Sequence, residues 1–120
     1  MSSKRLERDG EDAVFHALAD ATRRRLLDEL RIAPRSTGEL CRVIPGMSRF
    51  GVMDHLEVLV EAGLVIATRR GRERVNHLNP VPLQALYQRW MHPFAAPLAR
   101  ELLALDTAAT SVRTEDPNDQ

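Results

Sequence analysis

Between Ser48 and Val65 the chain reads SRFGVMDHLEVLVEAGLV, and no other stretch restricts the fold as tightly. Val52, Leu56, Leu59 and Gly63 recur at spacings of three and four, with Val60 alongside. That is one apolar stripe of an amphipathic helix. Outside the stripe the second half carries Glu57 and Glu61, a solvated face. The first half carries Arg49, Phe50, Met53 and Asp54 instead. A helix start that is neither plain core nor plain water has some other surface to meet.

The flanking residues set this helix in a series. Ser48 can cap its start and Gly63 its end. Upstream, Ser36 with Glu39 three residues on forms a capping box for a shorter helix, TGELCRVI, which Pro45 and Gly46 close. Two helices in tandem, joined by a short turn, have the spacing of a helix-turn-helix. Further upstream, Asp20 caps ATRRRLLDELRIA, whose core positions are Leu26, Leu27 and Leu30 and whose flank carries Arg23, Arg24 and Arg25. Pro34 stops it. Before that, Glu11 to Leu18 can form a short helix with Val14, Phe15 and Leu18 on one face.

Downstream, LVIATRRGRERVNHLNP alternates, turns at Gly71 and returns, as a β-hairpin does. A basic hairpin directly after a helix-turn-helix makes a winged helix-turn-helix, mostly α with one small β-hairpin. In a regular hairpin, alternation is expected to put Arg70, Arg72 and Arg74 largely on one side. After Asn79-Pro80 a long stripe follows: Leu83, Leu86, Tyr87, Trp90, Phe94, Leu98, Leu102 and Leu105. Pro93 and Pro97 interrupt it, and a kink or break is expected near His92–Pro93. So apolar a terminal helix calls for a covering partner, and a second copy of the chain is the natural one. The expected organisation is a disordered arm over 1–10, a single domain with a C-terminal dimerisation helix over 11–105, and a disordered tail over 106–120.

Composition fits one small domain. The chain has 120 residues, enough for a core but a small one, so dimerisation would help bury apolar surface. No apolar run reaches the length of a transmembrane helix, and MSSKRLERDGED has no apolar stretch of a secretory signal. A single cysteine, Cys41, cannot form an internal disulfide, and a cytoplasmic location fits best. Net charge is zero, but its distribution is uneven: residues 21–100 hold 13 basic against 7 acidic side chains. Placement counts for more than the sum in steering a polyanion.

LADATRRRLLDEL followed by HLEVLVEAGLV, with TGELC, RRGRERVNHLNPVPL and RWMHPF, resembles the ArsR family of bacterial winged-helix repressors over roughly residues 12–105. The resemblance implies a homodimer that binds double-stranded operator DNA and releases it to an inducer, whose identity the sequence does not give. It also implies that the second helix of the motif enters the major groove. Ser48, Arg49, Phe50, Met53, Asp54 and His55 would then face bases and phosphates. Arginine can make two bonds to guanine, and Phe or Met can touch a thymine methyl. The alternative for Phe50 and Met53 is additional core. On the wing, Arg69, Arg70, Arg72 and Arg74 surround a glycine turn opposed only by Glu73, which suits phosphate or minor-groove contact. The alternative there is a solvated, charge-guarded edge. The dimer interface is expected at Val14, Phe15, Leu18, Leu83, Leu86, Tyr87, Trp90, Phe94 and Leu98.

The sensor sites of the family do not carry over. Its arsenic-type members read Glu-Leu-Cys-Val-Cys-Asp, where this chain has Glu39-Leu40-Cys41-Arg42-Val43-Ile44. One thiolate makes no such chelate. The zinc-type pattern along the last helix is reduced to His92. No metal and no cofactor are therefore expected. His16, His55 and His77 read as hydrogen-bonded structural histidines and Cys41 as a small apolar filler, with a redox switch as its alternative. No phosphate loop, Gly-x-Ser-x-Gly or His-Glu-x-x-His occurs, so an enzyme is not expected. The competing function is a winged-helix protein-interaction module without operator DNA.

Overall fold

The computed structural model describes the backbone of residues 3–113 and the side chains of residues 10–108. Its elements run α1 (Ser3–Leu18), α2 (Ala21–Ile32), β1 (Arg35–Ser36), α3 (Thr37–Val43), α4 (Arg49–Glu61), β2 (Val65–Arg70), β3 (Glu73–Leu78), α5 (Val81–Leu86), a π-helical turn (Tyr87–Met91) and α6 (His92–Arg113). The chain divides into two compact units, Met1–Gln84 and Ala85–Gln120.

In the first unit the helix boundaries follow their caps. Asp20 accepts from the Arg23 amide at 3.0 Å, opening α2. At α3 the capping box is complete: Ser36 Oγ accepts from the Glu39 amide at 3.1 Å, and Glu39 Oε1 accepts from the Ser36 amide at 3.2 Å. Helix α4 ends in a Schellman motif. The amide of Gly63, at φ 78°, donates to the Val60 carbonyl, and that of Leu64 to the Leu59 carbonyl, both at 2.9 Å. Leu26, Leu40, Val52, Leu56, Leu59 and Leu64 are fully enclosed and form the centre of the core where α2, α3 and α4 meet.

The sheet has three strands rather than two, in the order β1-β3-β2 and antiparallel throughout. β1 is only Arg35–Ser36, paired with Asn76 and Val75. Arg35 and the cap residue Ser36 are too short a run to carry periodicity, so the strand exists only through its distant partner. The hairpin turns through Gly71 and Arg72, with Gly71 at φ 63°, and Arg70 lies opposite Glu73 while Arg69 lies opposite Arg74. This register corrects the expectation for the wing. Alternation across a two-residue turn puts Arg70 and Arg74 on opposite faces of the ribbon, with Arg72 at its tip.

Helix α1 begins at Ser3 rather than Glu11, and α6 reaches Arg113 rather than ending near residue 105. The described parts of the expected arm and tail are thus helical, the arm in keeping with its run of good helix formers (Lys4, Arg5, Leu6, Glu7, Arg8). Residues 1, 2 and 114–120 of that arm and tail lie outside the described residues.

In the second unit the helix widens ahead of Pro93 instead of breaking. The His92 amide donates to the Tyr87 carbonyl, five residues back, which closes the π turn at Tyr87–Met91. Pro93 follows this wider turn directly, which leaves room for its ring inside a continuous helix. Pro97 sits inside α6. Trp90 and Phe94 rings lie 5.3 Å apart and Tyr87 meets His92 edge-on at 5.7 Å. Leu86 is buried, whereas Tyr87, Trp90, Phe94, Leu98, Leu102 and Leu105 are exposed in the single chain. In the first unit Val14 is buried and Phe15 exposed; Leu18 and Leu83 are half-buried.

Candidate nucleic-acid interface

The start of α4 is fixed locally before anything faces outward. Ser48 Oγ accepts from the Gly51 amide at 3.1 Å and terminates the helix. A Cβ on Gly51 would stand 2.8 Å from Met47 Cγ, so the glycine lets Met47 fold over the first turn. Val52, Leu56 and Leu59, fully buried, then lock the rotation of the helix about its axis. That rotation turns Arg49, Phe50, Met53 and Asp54 outward. Phe50 is 80% exposed and Met53 38% exposed, so neither side chain is part of the core.

His55 behaves differently from these four. Its ring is half-buried, with Nδ1 3.1 Å from Nη1 of Arg23 and 3.8 Å from Oδ2 of Asp20. Arg23, expected on a basic flank, is instead buried: its Nε donates to the Ala17 carbonyl at 2.8 Å and its Nη2 to the His16 carbonyl at 2.9 Å. One guanidinium therefore bonds to two carbonyls at the end of α1, of which that of His16 also accepts from the Ala19 amide, and reaches α4 as well. Its neighbours Arg24 and Arg25 stay exposed and bond to the Leu18 and Val43 carbonyls. The backbone amide of Arg23 holds the Asp20 carboxyl below its ordinary value, with the Arg23 charge acting in the same sense.

The wing is tied to the helix-turn-helix by Asn76, which is wholly buried. Its Nδ2 donates to the Arg35 carbonyl and to Thr37 Oγ1, and its Oδ1 accepts from Nε of Arg74, all at 3.2 Å. Strand β3 is thereby fastened to the first turn of α3, and Arg74 is oriented from behind. A cleft of about 160 Å³ results, lined by Ser36, Thr37, Gly38 and Arg42 of the α3 region, Arg49 of α4, and Arg72, Glu73 and Arg74 of the wing. Four guanidinium groups from three elements border it, with Glu73 the one acid among them. Beside it a more open depression of about 300 Å³ lies between α4 and the ribbon, lined by Glu57, Val60, Ala67, Thr68, Arg69 and Arg74. Arg70 lies on the opposite face of the ribbon from Arg69 and Arg74 and borders neither hollow.

The structure thus gathers Arg49, Arg72 and Arg74 of the expected site around one hollow and sets Phe50, Met53 and Asp54 on the adjoining exposed face. Three residues with roles here escaped the sequence reading: Arg23, Arg42 and Asn76. Arg42 had a signal, being the outward-facing arginine of the first motif helix. Arg23 and Asn76 had none, since both are defined by partners distant in sequence. Among the described residues no group of three or more His, Cys, Asp or Glu side chains is placed to hold a metal ion, and Cys41 is a half-buried free thiol. Nor is any described helix long and apolar enough to cross a membrane.

Comparison with known proteins places the fold among transcriptional regulators. A helix-turn-helix domain family matches residues 18–66. The HTH-type transcriptional regulator Rv2034 of Mycobacterium tuberculosis is 44% identical over 75 residues, spanning 62% of this chain and 69% of the relative. The uncharacterized HTH-type transcriptional regulator YuzN of Bacillus subtilis is 42% identical over 86 residues, spanning 67% of this chain and 94% of that one. Among solved structures, an ArsR-like transcriptional regulator from Rhodococcus sp. RHA1 superimposes with a TM-score of 0.67 at 31% identity, covering 92% of this chain and 98% of the other.

Proposed function

The chain belongs to the ArsR family of helix-turn-helix transcriptional regulators, and from that membership we propose that it is a homodimeric, cytoplasmic repressor that recognises operator DNA through the start of α4 and the wing. The observation that carries the reading is the convergence of Arg42, Arg49, Arg72 and Arg74 on one cleft beside the exposed face of α4. Such a cluster is costly to hold together without a counter-anion, and a duplex backbone supplies phosphates at regular spacing. With phosphates along the cleft, Arg49 and Asp54 reach base edges, and Phe50 and Met53 meet thymine methyl groups. The exposed stripe of α6 supports the dimer: Phe94, Leu98, Leu102 and Leu105 make a continuous apolar face that a second copy would cover. Val43 stands where the family's arsenic-type sensors carry their second cysteine and Ile44 where they carry the acid, which supports a regulator that does not sense metal through α3.

Recovery of bound genomic fragments from cells, followed by footprinting of the enriched site, tests the proposal. A palindromic site protected at two half-sites one helical turn apart, and raised expression of the adjacent gene on deletion, is the expected result. The exposed Phe50 would also suit a protein partner. Recovery of fragments without a shared sequence, bound with no dependence on salt, would favour that reading over operator DNA.

A further inference from the structure

Arg23 joins three helices at one point. Its guanidinium is spread over the end of α1, through the Ala17 and His16 carbonyls, and over the middle of α4, through His55. Its backbone amide meanwhile holds the cap of α2, through Asp20. A guanidinium has only donors. At 3.1 Å from Arg23 Nη1, the Nδ1 of His55 therefore has to accept, which fixes a neutral imidazole with its proton on Nε2. We propose that Arg23 is a positioning residue for the recognition helix and that it holds α4 in its DNA-reading orientation only while His55 is neutral. The proposal rests on the DNA-binding reading above.

The chemistry of the contact gives the direction. His55 follows Asp54 directly and lies one turn along from Phe50 and Gly51, so its anchorage sets how the outward residues of α4 are presented. A proton on Nδ1 places two donors face to face across the Arg23–His55 contact and two positive charges side by side. The same proton draws the ring toward Asp20 Oδ2, now 3.8 Å away. Protonation therefore exchanges the Arg23 bond for an Asp20 ion pair. The charged groups that meet His55 are these two, from α2 and its cap. From α1, which carries Glu11, Asp12 and His16, the same junction receives backbone carbonyls. Among the described residues no ion pair or hydrogen bond to His55 comes from α3, with Glu39 and Arg42, or from β2, with Arg69 and Arg70.

The test compares the full-length parent, His55→Gln and Arg23→Lys. Each is measured for affinity to a duplex enriched from a random pool by the parent and to a scrambled duplex, at about pH 7.5 and about pH 5.5, either side of the ordinary histidine range. Thermal melts at both pH values accompany the binding. The parent is expected to lose roughly tenfold in the enriched-to-scrambled ratio on acidification, about the worth of one charge-assisted hydrogen bond. In His55→Gln an amide oxygen accepts from Arg23 without titrating, so the ratio should stay constant across the range. Arg23→Lys, which lacks the fork, should have a reduced ratio at both pH values; if it does not fold, the parent and His55→Gln decide between them. His16, His77 and His92 are common to all three proteins, so a difference between parent and variant belongs to position 55. The same pH profile in parent and His55→Gln would overturn the proposal, as would a fall that tracks the melts. If the parent enriches no duplex at all, the DNA reading itself fails and this inference with it.

Discussion

Replacing Asn76 by alanine is expected to cost about 3 kcal/mol of stability. The side chain is fully enclosed and both ends of its amide are used: Nδ2 toward the Arg35 carbonyl and Thr37 Oγ1, Oδ1 toward Arg74 Nε. The three hydrogen bonds, one buried and two part-buried, are together worth about 2 kcal/mol net, and the polar atoms left behind without a partner add on the order of 1 kcal/mol. Against a total stability of roughly 5–15 kcal/mol for a domain, that is a large share. Asn76→Asp separates the contributions. It keeps the acceptor for Arg74 but loses both donors and sets a carboxylate oxygen against the Arg35 carbonyl, with only the Thr37 hydroxyl able to turn and donate, so a substantial loss should remain. Urea unfolding at one fixed protein concentration is the assay, because association adds to apparent stability. A loss below about 0.5 kcal/mol for Asn76→Ala, the range of ordinary surface changes, would refute the claim that this side chain fastens the wing to α3.

Arg72→Ala, in the cleft, is expected to weaken binding to all duplexes alike and to lower the slope of log affinity on log salt by about one unit, if it meets one phosphate, and Arg70→Ala, on the other face of the ribbon, to change the slope less; salt titrations by anisotropy check this. Trp90→Ala should weaken self-association by on the order of 2 kcal/mol, as for a large aromatic at an interface, read by sedimentation equilibrium; a stable wild-type monomer at micromolar concentration would remove the dimer. Asp20 and Glu39 are both held below the ordinary carboxylate value, Asp20 chiefly by the Arg23 amide and Glu39 chiefly by the Ser36 amide. Their contributions are therefore fully present above the ordinary carboxylate range and lost as pH falls through their lowered folded values. Carboxyl NMR titration should find both midpoints depressed, with that of Glu39 moving up in Ser36→Ala.

What could be read from the sequence was local. Asp20, Ser36 with Glu39, Ser48 and Gly63 act on backbone groups within a few residues of themselves, so caps and helix ends stand where the residue types put them. The core stripes of α2 and α4 follow helical periodicity, and Leu26, Leu27, Leu30, Val52, Leu56 and Leu59 are buried as expected. What could not be read depends on partners far along the chain. Strand β1 exists because Arg35 and Ser36 meet Asn76 and Val75. Arg23 looked like one of three equivalent flanking arginines, yet it alone turns inward, because His16, Ala17 and His55 offer it acceptors. The facing of Arg70 and Arg74 turned on whether the hairpin loop held two residues or three, which alternation alone does not decide. The π turn before Pro93 replaced a break because one extra residue in the turn leaves room for the proline ring.

The central claim, that the exposed start of α4 reads DNA, is tested most directly by Arg49 and Asp54. Fluorescence anisotropy on an operator duplex and a scrambled one, at matched salt, compares the parent with Arg49→Ala and Asp54→Ala. Arg49→Ala should lose about 1–3 kcal/mol of operator affinity through a lost base contact. Asp54→Ala should hold or raise affinity for the scrambled duplex, because a carboxylate facing a polyanion is removed, while the operator-to-scrambled ratio narrows. If both substitutions leave both affinities unchanged, this face does not meet DNA and α4 is not the recognition helix.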